Sequence, residues 1–322
     1  MIDKTLLIGD IGGTNARFAL ASPERPGFHE PITLKCADFA SADDAIRHYL
    51  GETSPDVICL AVAGPIIENT VQVTNNHWTL NVAEIAADFG IDAVQLLNDF
   101  EAVAYAIPQL QPEDTETIGL PEMRALSDKH FNVAIVGPGT GLGTAGLIRR
   151  GGILIPIVGE GGHVGFAPKS QVQVEILSAL RNKFDRVSVE RLVSGSGIEN
   201  IYWALTLIHG EQRTQLSAPD IFAKSGDGSD PRATEATHMF FEILGQVAGD
   251  LALTMGAEDG VYIAGGIAKR YPAQLQNSGF RNAFDNKGRH RAYMERIPTM
   301  LITHEEPGLL GAAYCALELA SS

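Results

Sequence analysis

Cysteine is scarce in this 322-residue sequence, with three residues at positions 36, 59 and 315. An odd number at such distances fits neither a disulfide framework nor a paired zinc spacing. Cys36, Cys59 and Cys315 are therefore expected as reduced, mostly buried small apolar side chains. Positive charge is also short: Lys and Arg number 24 against 39 Asp and Glu, a formal net charge of -15. That balance repels phosphate backbones and anionic headgroups at long range, so no nucleic-acid or membrane partner is expected. No uncharged apolar run approaches the ~20 residues that span a bilayer, and Asp3 and Lys4 interrupt any signal-like start. A cytoplasmic protein is expected. Gly-Lys-Ser and Gly-Lys-Thr are absent, which excludes a Walker-type phosphate loop, and the spacing in Gly137 to Gly143 is not the dinucleotide G-x-G-x-x-G. Asp88-Phe89-Gly90 matches a protein-kinase triplet, but no His-Arg-Asp precedes it, and Gly90 reads better as a helix stop.

What the chain does contain, at 45% apolar and 20% charged residues, is enough to build a large core divided between two domains. Thr5 to Ile8 runs into Gly9-Asp10-Ile11-Gly12-Gly13-Thr14, and Ala16, Phe18 and Leu20 then alternate, which reads as strand, glycine turn, strand. Val133 to Val136 leads in the same way into Gly137-Pro138-Gly139-Thr140-Gly141-Leu142-Gly143, an offset of 128 residues if Gly9 is set on Gly137. The pair suggests a duplicated half. Pro55 to Ala63 and Ala93 to Leu97 read as buried strands, Ala83 to Phe89 as a helix, Phe240 to Met255 as a longer one, Val261 to Ala264 as a strand, and Leu309 to Leu319 as a closing apolar helix. Alternating strands and helices give the α/β class. Pro108 to Pro121 is the expected crossover between domains, and Gly226 to Pro231 an exposed loop.

A glycine-rich turn leaving a strand frees backbone N–H groups and admits an anion closely, so phosphates can be cradled without a basic cluster. A lone glycine hairpin is far more often only a tight turn. Three such turns, the third being Gly265-Gly266, shift the balance toward a nucleotide. Asp10 would repel phosphate unless a divalent cation sat between them, which argues for Mg²⁺, an ion that needs only one or two carboxylates beside phosphates and waters. The plainer alternative is that Asp10 only closes the turn.

Asn98-Asp99 stands at the end of an apolar strand, where α/β sites collect, although an acid there is as often a helix N-cap. Glu160 and His163 lie in the glycine-lined Gly159 to His163 turn, and Glu190 precedes Gly195-Ser196-Gly197. Taken singly, Glu190 reads as a solvated residue paired with Arg186 or Arg191, and His163 as a hydrogen-bonded structural histidine.

Together these pieces resemble the bacterial ATP-dependent glucokinase family, within the superfamily shared by actin, heat-shock ATPases and sugar kinases. The resemblance is nearly full-length. It runs through residues 9–17, Thr74-Asn75-Asn76-His77-Trp78, Asn98-Asp99-Phe100, residues 139–143, residues 159–163, Glu190-Arg191, Ala264-Gly265-Gly266-Ile267 and Pro307-Gly308-Leu309-Leu310-Gly311. It implies a two-domain actin-like ATPase (sugar kinase) fold of α/β class with a duplicated core and an interdomain cleft. Residues 1–110 with 300–322 would form the smaller domain and residues 111–299 the larger. It implies ATP-dependent phosphorylation of glucose to glucose 6-phosphate, the entry step of glycolysis, in a homodimer. By motif position Asp99 is the catalytic base, and Asn98, Asp99, Glu160, His163 and Glu190 bind the sugar. Asp10 faces Mg²⁺, while Gly12, Gly13, Thr14, Gly139, Thr140, Gly141 and Gly143 serve the phosphates, with Gly265 and Gly266 near the adenosine. The related zinc-containing repressor and sugar-kinase type carries a cysteine-rich motif beside its sugar-binding histidine. Here no cysteine occurs between Cys59 and Cys315, so no structural zinc is expected.

The residue types suit that chemistry. A hexose is an uncharged polyol whose hydroxyl hydrogens need fixed acceptors, such as Glu160 and Glu190. Phosphoryl transfer depends on positioning and charge neutralisation more than on a strong base, so Asp99 need only orient the primary hydroxyl and take its proton late. A non-catalytic sugar or nucleotide sensor on the same fold is the nearest rival. An actin-like or chaperone-like ATPase would have no need of Glu160, His163 and Glu190 together.

Overall fold

The first apolar stretch runs further than its glycines suggest. Leu6–Ile11 (β1) pairs antiparallel with Asn15–Ser22 (β2) in a ladder that sets Gly9 opposite Phe18 and Asp10 opposite Arg17. Gly9 and Asp10 therefore belong to the strand, and the turn is confined to residues 12–14, where the Gly12 N–H donates to Asn15 O at 2.9 Å. A Cβ at Gly9 would meet Leu60 Cδ2 at 2.7 Å, so this glycine makes room across the sheet.

The structure, a computed structural model, describes residues 4–22, 25–122, 124–211 and 215–321, so Asp3 lies outside the described residues. The chain divides into two compact units, Met1–Glu113 with His304–Ser322, and Asp114–Thr303. These boundaries differ by a few residues from 110/111 and 299/300, because two strands at the edges of the central segment pair within the second unit.

In the first unit, β2 is followed by Arg25–Lys35 (β3), Ala42–Leu50 (α1), Val57–Val62 (β4), Thr70–Gln72 (β5), Thr79–Asn81 (β6), Val82–Phe89 (α2), Val94–Asn98 (β7) and Asp99–Ala106 (α3). The main sheet has the order β3-β2-β1-β4-β7, with β1, β4 and β7 parallel. β4 is buried at every position because both faces are covered. Ile58, Leu60 and Val62 pack with Phe18, Trp78 and Ile85, while Val57, Cys59 and Ala61 face a second cluster with Leu309, Ala312 and Ala316 of the C-terminal helix Pro307–Ser321. Gly90, left-handed at φ 67°, stops α2 as its sequence position suggests. All three cysteines are free and buried.

In the second unit, Thr115–Thr117 (β8), inside the expected crossover, is an edge strand. It is followed by His130–Pro138 (β9), Leu142–Arg150 (β10), Ile153–Gly159 (β11), Gln171–Arg181 (α4), Gly195–Ile208 (α5), Ala218–Asp227 (α6), Pro231–Met255 (α7), Gly260–Ile263 (β12), Gly266–Arg270 (α8) and Thr299–Ile302 (β13). The sheet order is β11-β10-β9-β12-β13-β8, with β9, β12 and β13 parallel. Apart from β8 this repeats the plan of the first sheet, as the two glycine hairpins suggest. The expected loop at Gly226 to Pro231 is shorter than its composition suggests. α6 continues to Asp227, Gly228 ends it at φ 72°, and Asp230 caps α7 by accepting from the N–H groups of Arg232 and Ala233.

Candidate active site

In the first unit the candidate residues gather at the carboxyl ends of parallel strands. Asp10 lies opposite Ala61 of β4, and Val62 opposite Asn98 at the end of β7. Asn98, rather than Asp99, is the helix cap. Its Oδ1 accepts from Phe100 N–H at 2.9 Å and Glu101 N–H at 3.4 Å, and Glu101 Oε2 accepts from Asn98 N–H at 3.2 Å, completing a capping box. With Oδ1 engaged and Nδ2 donating to Gly64 O at 3.3 Å, Asn98 has one amide hydrogen left for a ligand. Asp99 is the first residue of α3, and its Oδ1 accepts from Phe100 N–H at 3.0 Å.

Asp10 is the most perturbed carboxylate here. Burial pushes it from 3.8 up to about 6; Arg17 opposes the rise, and the negative charges of Asp99 and Glu306 add to it. Arg17 Nε pairs with Glu306 Oε1 at 3.0 Å, just ahead of the C-terminal helix. A Cβ at Gly308 would come within 3.1 Å of Asp10 Oδ2, so glycine lets the first turn of that helix lie against the carboxylate. Neither Glu306 nor the role of Gly308 was singled out by sequence reasoning. The signal available was the block beginning at Pro307, one residue past the acid.

The glycine turn rests on the Thr74 to Trp78 segment. Asn76 Nδ2 donates to Gly12 O at 3.4 Å, and a Cβ at Gly13 would meet Thr74 O at 2.8 Å. His77 and the Trp78 indole both bond Phe39 O, so this block supports the turn. Thr14 is exposed beside it.

In the second unit β9 and β10 are joined by a turn at residues 139–141, with Gly139 N–H donating to Gly141 O at 2.8 Å. Gly143 is already in the ladder, opposite Gly137, and Thr140 is exposed at the tip. Glu190 comes to this turn. Its Oε2 accepts from Leu142 N–H at 2.9 Å, and a Cβ at Gly141 would stand 2.5 Å from the same oxygen. Glu190 is thus half-buried and tied to the backbone, while Arg191 stacks on Phe184 at 4.3 Å.

The Glu160 to His163 turn is bound to the same framework. Thr144 Oγ1 accepts from Gly161 N–H at 3.0 Å and donates to Gly159 O at 3.3 Å, and Val189 N–H donates to Val164 O at 3.0 Å. Glu160 and His163 are exposed at its surface, and His163 N–H donates to Glu160 O at 3.0 Å. Thr144 was missed in the sequence because a threonine in an apolar strand carries no distinguishing pattern. Gly265, at φ 85°, sits where a Cβ would meet Pro138 O at 2.5 Å, which sets Gly265-Gly266 beside the start of the phosphate-type turn.

The chain matches the Glucokinase family model over residues 7–319. It is 42% identical over 316 residues to the glucokinase of Nitrobacter hamburgensis, covering 97% of each chain, and 44% identical to that of Caulobacter vibrioides, covering 95% and 93%. Among solved structures, a glucokinase from an Antarctic psychrotroph superposes with a TM-score of 0.89 at 35% identity, covering 99% of both chains. The chain belongs to the glucokinase family. Its α/β architecture is that of the actin-like ATPase sugar kinases, and its reaction is the ATP-dependent phosphorylation of glucose. The glycine hairpins and carboxylates described above lie within the matched span.

Proposed function

We propose that Asp99 is the catalytic base of this glucokinase, accepting the proton of the glucose 6-hydroxyl as that oxygen attacks the γ-phosphorus of ATP. The observation that carries this reading is the position of Asp99 as the first residue of α3, directly after the carboxyl end of the parallel strand β7, with Asn98 rather than Asp99 serving as the helix cap. Hexose hydroxyls are held by Asn98 through its remaining amide hydrogen, and by Glu160, His163 and Glu190. Glu190 keeps Oε2 on Leu142 N–H and offers Oε1 to the sugar. An analogue lacking one hydroxyl leaves a buried partner unpaired, at about 1–3 kcal/mol. The backbone at Gly12, Gly13 and Thr14 and at Gly139, Thr140, Gly141 and Gly143 cradles the phosphates, with Gly265-Gly266 near the adenosine.

The donor set suits Mg²⁺. Asp10 is a hard oxygen donor, half-buried beside further negative charge that favours a cation. No group of three His, Cys, Asp or Glu residues able to hold a metal occurs among the described residues, so the ion would share its coordination between Asp10, phosphate oxygens and water. When bound it supplies neutralisation of the charge developing on the phosphoryl group. We further propose that the enzyme works in the cytoplasm as a homodimer at the entry step of glycolysis.

The test is ADP release measured with and without glucose, with and without Mg²⁺. Release that requires both supports the assignment, and ATP hydrolysis at the same rate without sugar overturns it.

A further inference from the structure

Glu190 sits in a single turn of 3₁₀ helix, Val189–Arg191, too short to fix itself. The N–H groups of Leu192 and Val193 both donate to Val189 O at 2.9 Å, which leaves the Glu190 and Arg191 carbonyls to other donors. Side chains at the start of α5 supply them. Ser194 Oγ donates to Glu190 O at 2.8 Å, and Asn200 Nδ2 donates to Arg191 O at 2.9 Å. Lys183 Nζ, donating to Asn200 Oδ1 at 2.8 Å, fixes that amide in turn.

Ser194 is 0% exposed, and its hydroxyl is fully committed. Its one hydrogen goes to Glu190 O. One lone pair accepts from Gly197 N–H at 3.0 Å, capping α5, and the other faces Ser196 Oγ at 3.3 Å. A cap needs only an acceptor, so the hydrogen given to Glu190 O is a second duty. The neighbouring backbone leaves little slack. Gly195 N–H donates to Gly139 O at 2.9 Å, and a Cβ at Gly197 would meet Leu192 O at 2.5 Å.

We propose that Ser194, supported by Asn200, is a positioning residue for glucose, holding the Glu190 main chain so that Oε2 stays on Leu142 N–H and Oε1 stays turned to the sugar. The positioning role rests on the assignment of Glu190 to the sugar. Glu190 serves hydroxyls other than the reacting one, so its interaction is alike in the ground and transition states. Loosening it raises the glucose KM while kcat holds.

Steady-state kinetics of the full chain, with Tm measured beside it, tests the role. Ser194→Ala and Ser194→Gly both lose the donor, but alanine is much the poorer helix cap. Both should raise the glucose KM about fivefold at unchanged kcat, the loss of one hydrogen bond, although alanine lowers Tm further than glycine. Ser194→Thr keeps the hydroxyl and should restore KM to within about twofold of the parent. Asn200→Asp keeps the acceptor for Lys183 Nζ, lacks the donor for Arg191 O and leaves the cap untouched, so it should raise KM in the same sense. Glu190→Gln should raise KM in the parent and raise it by a smaller factor in Ser194→Ala, because the two residues act as one unit. A parental KM in the Ser194 and Asn200 variants, KM values that follow Tm, or a Glu190→Gln factor equal in both backgrounds would overturn the proposal. A glucose KM unmoved by Glu190→Gln alone would overturn the sugar assignment of Glu190 instead, and the positioning role with it.

Discussion

The two glycine hairpins share a plan and differ in what holds them. The β1/β2 hairpin carries its own charge, with Asp10 set opposite Arg17 across the ladder and its turn braced by Asn76. The β9/β10 hairpin carries none at the matching place, where the offset of 128 residues puts Pro138. It is held instead by Glu190, 48 residues further along, and by Gly195 N–H donating to Gly139 O at 2.9 Å. One strand plan thus carries a carboxylate in the ladder of the first hairpin and no charge at the matching place of the second, without a lysine in either.

The comparison breaks most severely at Asp99, the acid coupled to the charged hairpin. On the proposed role, Asp99→Asn keeps the shape and removes the group that takes the hydroxyl proton, so kcat should fall about 10³-fold with glucose affinity nearly retained, as single-turnover kinetics and equilibrium binding would show. A comparable loss of glucose affinity would make Asp99 a binding group instead.

A smaller effect separates the two turns. At Gly141 a methyl group would stand 2.5 Å from Glu190 Oε2, whereas at Gly12 the nearest atom is Asn15 O at 3.6 Å. Gly141→Ala should displace the carboxylate from Leu142 N–H and lower stability by about 2 kcal/mol, the range of a hydrogen bond to a charged group. That corresponds to about 4–8 °C in Tm. Gly12→Ala should stay within about 0.5 kcal/mol, since its added methyl meets Asn15 O only at ordinary van der Waals distance. Equal Tm values for the two variants would show that Glu190 does not brace its turn.

Much of this contrast was legible in the sequence, and the illegible part has a physical cause. The hairpins, the alternating α/β order and the buried cysteines follow from apolar periodicity, which is a local property. Asp10, Glu160 and His163 stood out as acids and a histidine among glycines and Asp99 as an acid at the end of an apolar strand, whereas Glu190 stood out only through the family resemblance. The extent of the strands did not, since Gly9 and Asp10 stay in the ladder only because Phe18 and Arg17 lie opposite. Nor did the cap, where Asn98 outcompetes Asp99 through a reciprocal bond with Glu101. The tie between Glu190 and Leu142 depends on a segment brought back by pairing around Val164 and Val189, which no local pattern records.

The charge on the first hairpin should carry a stability cost that the second does not. Asp10 has its folded pKa raised from 3.8 to about 6, so the folded state binds this proton more tightly than the unfolded chain does. Stability from this group is fully present below about pH 4, falls as pH rises toward 6, and is flat above. Asp10→Asn removes the ionisation, so the variant should be more stable than the parent by about 1–2 kcal/mol at pH 7, once residual solvent screening is allowed for. The gap should close as pH falls to 4. Denaturant melts at pH 4 and pH 7 read it, and a constant gap would place its origin elsewhere.

The finest test is the pair beside Asp10. Arg17 lowers the pKa of Asp10 and Glu306 raises it, while the two hold each other at 3.0 Å. Arg17→Gln removes the favourable charge and leaves Glu306 uncompensated, so Asp10 should hold its proton to higher pH. The acid limb of kcat/KM should then move upward by a fraction of a pH unit. Glu306→Gln leaves Arg17 acting alone, and the limb should move downward. Both substitutions break the same ion pair, so a merely structural role would shift the two profiles alike, whereas opposite shifts require that the pair act through the charge on Asp10.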